Sequence, residues 1–129
     1  MNNPEIYYYG DGQIECVKYI NESLGFHRED GPAYITWFPD GIKYYEGYFM
    51  NNSAHRVDGP ATQYFHTNGN KEFEIYYLNG IKHREDGPAF TLWLRNGNKE
   101  REEYWLNGKM IFPKSLEEFK RIVKLMAFK

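Results

Sequence analysis

The residues of this chain with the widest chemical repertoire are its four histidines and a set of recurring arginines and aspartates, types that serve acid–base catalysis, metal binding and anion binding. Three of the four histidines stand in one heptapeptide. His27-Arg28-Glu29-Asp30-Gly31-Pro32-Ala33 recurs as His55-Arg56-Val57-Asp58-Gly59-Pro60-Ala61 and as His83-Arg84-Glu85-Asp86-Gly87-Pro88-Ala89, at a step of 28 residues. Catalysis needs one constellation, whereas a pattern met three times at one spacing is a requirement of the repeat itself. Asp30, Asp58 and Asp86 are therefore expected to bond backbone N–H groups in a connection, and Gly31, Gly59 and Gly87 to take a conformation other residues avoid. Pro32, Pro60 and Pro88 are expected to fix φ where a strand begins. Arg28, Arg56 and Arg84 pair in this reading with an aspartate or with Glu46, Glu74 and Glu102 of a neighbouring strand, and His27, His55 and His83 stack or bond across the junction. On that basis Asp58→Ala is expected to cost more stability than Lys71→Ala.

A three-histidine metal site fails on distance. Equivalent residues of successive two-strand units lie roughly 9.5 Å apart, whereas zinc ligands all approach one ion to about 2.1 Å. The fourth histidine, His66, falls outside the repeated column and reads as an exposed strand residue. No phosphate-binding glycine loop, nucleophile elbow or His-Glu-x-x-His is present, and Cys16 has no histidine near it in sequence. The expectation is a protein that is not an enzyme, with no metal, no cofactor and no catalytic residue.

The elements that must position these residues follow from the turns. The three units, 27–54, 55–82 and 83–110, also agree at Gly41/Gly69/Gly97, Lys43/Lys71/Lys99, Glu46/Glu74/Glu102, Tyr48/Tyr76/Tyr104 and Asn51/Asn79/Asn107. Each holds two turn signals, Asp40-Gly41, Asn68-Gly69 and Asn96-Gly97 first, then Asn51-Asn52, Asn79-Gly80 and Asn107-Gly108. Such pairs are favoured in type I′ turns, whose two central residues need φ > 0. Both turns are predicted to be of this type, making each unit a β-hairpin that hands on to the next. Between them lie aromatic and β-branched runs such as Tyr34-Ile35-Thr36-Trp37-Phe38 and Phe73-Glu74-Ile75-Tyr76-Tyr77-Leu78, which suit strands.

Residues 1–26 read as a degenerate half-repeat: Asp11-Gly12 matches the first turn, Tyr19 follows Gly12 at the spacing of Tyr48 from Gly41, and one extra residue precedes His27. After residue 110 the pattern becomes helical. Ser115 and Glu118 form a capping box, and Leu116, Phe119, Ile122, Val123 and Met126 make one apolar stripe. Lys120, Arg121, Lys124 and Lys129 against Glu117 and Glu118 give too small an excess for a membrane or nucleic-acid element. The segment 111–129 is predicted to be a capping helix over the last hairpin.

Composition agrees with one small β-rich domain. The 129 residues are 19% aromatic and include 12 glycines, with a mean hydropathy of −0.78. The net charge of −2 lacks the basic excess of nucleic-acid binders. A single cysteine excludes an internal disulfide framework. Met1-Asn2-Asn3-Pro4-Glu5 has neither the charged start nor the apolar stretch of a secretory signal, so the chain reads as intracellular and not secreted. The predicted fold is mainly β: an elongated, twisted antiparallel meander of roughly seven or eight strands ending in one amphipathic helix. Both strand parities carry apolar residues, Tyr34, Phe38, Leu92 and Leu94 on one and Ile35, Trp37 and Trp93 on the other, which favours self-association as a homodimer.

The string His-Arg-x-Asp-Gly-Pro-Ala, followed by Asp/Asn-Gly and later Tyr-x-x-Asn-Gly, resembles the divergent MORN-type repeats of proteins from large DNA viruses of amoebae and from some bacteria. The resemblance covers residues 27–110 closely. It implies hairpins that add successively to an elongated sheet, a role in scaffolding and protein interaction, and, for a viral member, a place in the host cytoplasm or the virion. Typical MORN units are shorter, with a Tyr-x-Gly start. The function expected is a non-enzymatic scaffold for protein–protein interaction or self-assembly, with nucleic acid and membrane not expected as partners. The alternative is a binding module for carbohydrate, choline-like or anionic lipid headgroups. It would use the aromatic column Trp37, Phe65 and Trp93 or the basic column Arg28, Arg56 and Arg84.

Overall fold

In a computed structural model that describes residues 3–127, the chain forms an open antiparallel meander. Met1 and Asn2 of the N-terminal segment and Lys129, counted above among the helix cations, lie outside the described residues. Nine strands build the main sheet in chain order: β1 (Glu5–Tyr8), β2 (Ile14–Lys18), β5 (Tyr34–Trp37), β6 (Lys43–Gly47), β9 (Thr62–Phe65), β10 (Lys71–Ile75), β13 (Phe90–Trp93), β14 (Lys99–Leu106) and β15 (Lys109–Ile111). Three minor hairpins alternate with them: β3 (Ile20–Asn21) with β4 (Gly25–Phe26), β7 (Phe49–Met50) with β8 (Ser53–Ala54), and β11 (Tyr77–Leu78) with β12 (Ile81–Lys82). One helix, α1 (Leu116–Met126), is the last element among the described residues.

The sheet is mainly β and antiparallel as expected, but each unit carries two hairpins instead of one. The cause is a corner at the repeated tyrosine. Tyr19, Tyr48 and Tyr76 each donate their N–H to the carbonyl of Ala33, Ala61 or Ala89 and accept from the N–H of His27, His55 or His83. Those bonds bend the chain out of the main sheet into the minor hairpin. Residues 5–26 supply the same set, two strands and a minor hairpin, without a preceding heptapeptide. Their extra residue lies in the minor turn, where Glu22-Ser23-Leu24 separates β3 from β4 and two residues suffice in later units.

Only the second turn of each unit is the expected type I′. Asn51 and Asn52 have φ of 50° and 66°, and Asn79-Gly80 and Asn107-Gly108 repeat the pattern. In the first turn only the glycine is positive (Gly12, Gly41, Gly69 and Gly97, near 90°). The preceding Asp11, Asp40, Asn68 or Asn96 instead accepts, through Oδ1, the N–H two residues on. This is the three-residue loop with an αL glycine and an adjacent bulge, and the strand register shifts beside each of these turns.

One face of the sheet carries a continuous aromatic ladder. Tyr34, Tyr45, Tyr64, Phe73 and Phe90 contact one another in sequence with ring centroids 4.5–5.9 Å apart. Phe26 and Phe49 of the minor hairpins join it. A sheet with no closed interior obtains its buried area from large rings of this kind. Gly47 is needed here because a Cβ at this position would stand 2.1 Å from the Tyr45 hydroxyl. The opposite face carries Trp37, Phe65 and Trp93 beside the pairs Lys43–Glu46, Lys71–Glu74 and Lys99–Glu102, at 2.9, 3.2 and 3.3 Å. No helix among the described residues is long and apolar enough to cross a membrane.

Candidate functional site

The three heptapeptides form a row of junctions, each joining a minor hairpin to the next main strand. The histidine is the first fastening. His27, His55 and His83 each accept through Nδ1 the backbone N–H of Asn51, Asn79 or Asn107, 24 residues on, at 2.9–3.0 Å. A backbone N–H can only donate, so Nδ1 is unprotonated and the ring proton sits on Nε2. In His83 that nitrogen lies 2.9 Å from Glu85, and in His27 it lies 3.6 Å from Glu29. These bonds tie the I′ turn of one minor hairpin to the start of the linker before it.

The arginine is the second fastening. Arg28, Arg56 and Arg84 lay their guanidinium over the rings of Tyr19, Tyr48 and Tyr76, 4.0–4.1 Å from the centroid. Nε donates to the aspartate two residues on, at 2.9, 3.3 and 2.7 Å. Nη1 donates to the carbonyl of Pro32, Pro60 or Pro88. The other side of the guanidinium rests on Gly31, Gly59 or Gly87, where an added Cβ would stand 2.9–3.0 Å from Cζ. Each junction is thus a tyrosine–arginine–glycine sandwich that carries its own hydrogen bonds.

This geometry corrects the reading of the glycines and of His66, and of the two partners expected for the arginines it selects the aspartate. None of Gly31, Gly59 and Gly87 has positive φ; they are glycine because a side chain would strike the guanidinium. Asp30, Asp58 and Asp86 receive the arginine, with side chains 80–88% exposed, and Asp86 also accepts its own backbone N–H, in keeping with the expected backbone bonding. The glutamates offered as alternative arginine partners belong to Lys43, Lys71 and Lys99 instead. His66 is not an exposed strand residue: it sits half-buried beyond β9 with Nε2 3.0 Å from the Trp93 carbonyl, as the Tyr9 hydroxyl donates to the Trp37 carbonyl at 2.6 Å. That link was hidden because Tyr9 and His66 share a repeat position without sharing a residue type.

Between successive junctions run shallow grooves of about 420 Å³ (Arg56, Asp58, Tyr76, His83, Arg84, Asp86) and about 570 Å³ (Arg28, Asp30, Tyr48, His55, Arg56, Asp58). Their rims are the exposed aspartates, while the arginine side chains are 23–27% exposed. Asp86 is held below the ordinary carboxylate range by its bond from Arg84. Trp37, Phe65 and Trp93 are half-buried, and the Lys71 ammonium lies 5.4 Å from the Trp93 ring. Among the described residues no group of three or more histidines, cysteines, aspartates or glutamates is placed to hold a metal.

The row ends at Tyr104, the fourth residue of the tyrosine column. Its cover is Phe119 of α1, fully buried with ring centroids 4.6 Å apart. Ser115 caps the helix by accepting the Glu118 N–H at 3.1 Å, and Glu118 Oε1 accepts from Lys114 N rather than from Ser115. Ile122 and Val123 are half-buried, but Leu116 and Met126 of the same stripe are exposed. Just before this end, Glu103 is buried yet ionised. Burial alone would raise its carboxyl, but bonds from Trp105 Nε1 (2.9 Å) and Arg101 Nε (2.8 Å) outweigh it and hold it below the ordinary value.

Fold and site together define an open array of β-hairpin units, clamped at every internal junction by one side-chain sandwich and finished by a helix. No protein-family model, curated protein or solved structure matches the chain.

Proposed function

We propose that the protein is a non-enzymatic, MORN-like repeat scaffold that mediates protein–protein interaction or self-assembly within the cell. The observation that carries this reading is the use of the repeated motif. Its histidine Nδ1, arginine Nε and Nη1, aspartate carboxylate and proline carbonyl are engaged within the chain at all three junctions. Residues that recur to clamp hairpins explain their recurrence without a ligand, and they leave the surfaces between clamps to vary with a partner. A headgroup-binding role for the arginine column has less support, since a guanidinium pinned between a tyrosine and a glycine offers little open surface.

The test is a two-dimensional NMR titration of the full chain with phosphocholine and with a neutral oligosaccharide, beside co-sedimentation with phosphatidylserine vesicles. The scaffold reading expects no saturable shift at Trp37, Trp93, Arg28, Arg56 or Arg84 and no co-sedimentation. Saturable binding at either column would replace it with the headgroup-binding alternative.

A further inference from the structure

An open sheet has two edges, and here they differ in chemistry. The outer edge of β14 begins Lys99-Glu100-Arg101-Glu102-Glu103, and its remainder is paired with β15. A run of charges is a common way for proteins to blunt an edge against other strands. The opposite edge, β1, reads Glu5-Ile6-Tyr7-Tyr8, with Ile6, Tyr7 and Tyr8 42%, 46% and 58% exposed. Ile14 beside it is 41% exposed, and β2 is the only strand paired with β1 among the described residues.

We propose that β1 is a self-association edge at which two copies pair antiparallel about a two-fold axis. The inference rests on the scaffold reading and names a second copy of this chain as one partner. A head-to-tail arrangement is opposed by charge. The internal junctions pair Ile75 with Phe90 and Glu74 with Thr91. The same register between Glu103 and a second copy would set this buried carboxylate opposite the second copy's Glu5. The helix also occupies the space over Tyr104 that a following arginine would need.

Symmetric pairing of β1 with itself has no such conflict. A two-fold axis normal to the sheet keeps each face continuous, so only residues of like parity meet. In the two such registers that pair three residues of each four-residue strand, centred on Ile6 or on Tyr7, Glu5 faces Tyr7 or Tyr9 of the second copy and Ile6 faces Ile6 or Tyr8. The Tyr7 hydroxyl already donates to Glu5 at 3.0 Å within one chain, and cross-strand pairing offers the same donor to the other copy. Backbone bonds supply affinity, as in other strand-addition complexes. The strand has four residues, so the contact falls well short of the ~1,200 Å² of a tight interface, and the dimer is weak and reversible.

Sedimentation equilibrium of the full chain, from about 10 μM to about 1 mM, tests this over the range where weak dimers form. The expected result is a mass that climbs towards twice the monomer. Ile6→Lys with Tyr8→Lys should weaken association at least tenfold at unchanged Tm, whereas Lys99→Ala with Glu100→Ala at the other edge should leave it intact. Concentration-dependent amide shifts confined to residues 5–9 of the unaltered chain give a readout independent of any variant. A monomer throughout, or association that survives both lysines, overturns the proposal. Neither outcome touches the scaffold reading, which fails only by saturable headgroup binding.

Discussion

Tyr76 and Tyr104 occupy the same position in consecutive units, yet one is covered by an arginine and the other by a phenylalanine from a helix. At Tyr76 the cover comes from the linker that follows, and Arg84 also bonds the Pro88 carbonyl just before β13. The arginine therefore does two things: it shields a ring and it aims the next strand. Beyond the β14–β15 hairpin no further strand is present among the described residues to be aimed, and shielding alone is met by an apolar ring. Phe112, the residue at the arginine's place in the period, is 81% exposed, and Phe119 does the covering. An internal junction must be both packed and directional, whereas an end need only be packed.

The largest effect should come from removing the terminal cover. Phe119→Ala empties a fully buried site, and such truncations cost about 3–5 kcal/mol. Urea unfolding should show this loss, with amide protection falling first in β14 and β15. A cost below about 1 kcal/mol, typical of surface changes, would mean that the helix is not part of the array's packing.

At an internal junction the matching experiment is Gly59→Ala. The new methyl would press on the Arg56 guanidinium, an overpacking that costs about 1–3 kcal/mol. Arg56→Lys should cost somewhat less, because an ammonium keeps the charge but cannot lie flat on Tyr48 while donating to both Asp58 and Pro60. If Gly59→Ala in an Arg56→Ala background costs as much as it does alone, the sandwich is not the reason for the glycine.

The end also has its own electrostatics. Glu103 is ionised by its bonds from Trp105 and Arg101, so its carboxyl lies below the ordinary value in the folded chain. A depressed carboxyl contributes stability that is complete above the unfolded-state value of about 4.3. That contribution fades as the pH falls through this value and below. Glu103→Gln should lower stability by about 1.5 kcal/mol at neutral pH and flatten the acid limb of a stability–pH curve. The corresponding residue at the internal junction, Ile75, has no charge to titrate. A curve of unchanged shape in the variant would show that Glu103 ionises alike folded and unfolded.

How much of this was legible in sequence depends on whether the cause was local. The turns and strands were, because Asn-Gly, Asp-Gly and aromatic runs act through nearby backbone. The distinction between the two turns was not, since both show the same dipeptides and only the bulge at the first separates them. The motif's structural role followed from its repetition, but the reason for its glycines did not. Nothing in His-Arg-x-Asp-Gly-Pro-Ala says that the arginine folds back onto the glycine three residues later. The tyrosine that completes the sandwich lies eight residues before the arginine in two junctions and nine in the first. The two edges were readable as composition only once the strand order was known.

The smallest effects discriminate between motif and sheet face, and here the structure reverses the order expected from sequence. Asp58 is the repeated residue, but its side chain is 88% exposed and its bond to Arg56 is 3.3 Å long. Exposed pairs of that kind are worth a few tenths of a kcal/mol up to about 1. Lys71 lies outside the heptapeptide and is half-exposed, yet its ammonium is 3.2 Å from Glu74, whose side chain is 11% exposed. Its other partner, Gln63, stands at 3.5 Å. Removing Lys71 leaves a mostly buried carboxylate with one weak donor, at a cost of about 1 kcal/mol or more. Thermal unfolding of Asp58→Ala and Lys71→Ala side by side should therefore show the larger loss for Lys71→Ala. The opposite order would mean that the Asp58 carboxylate holds Arg56 on Tyr48 more firmly than its exposure allows.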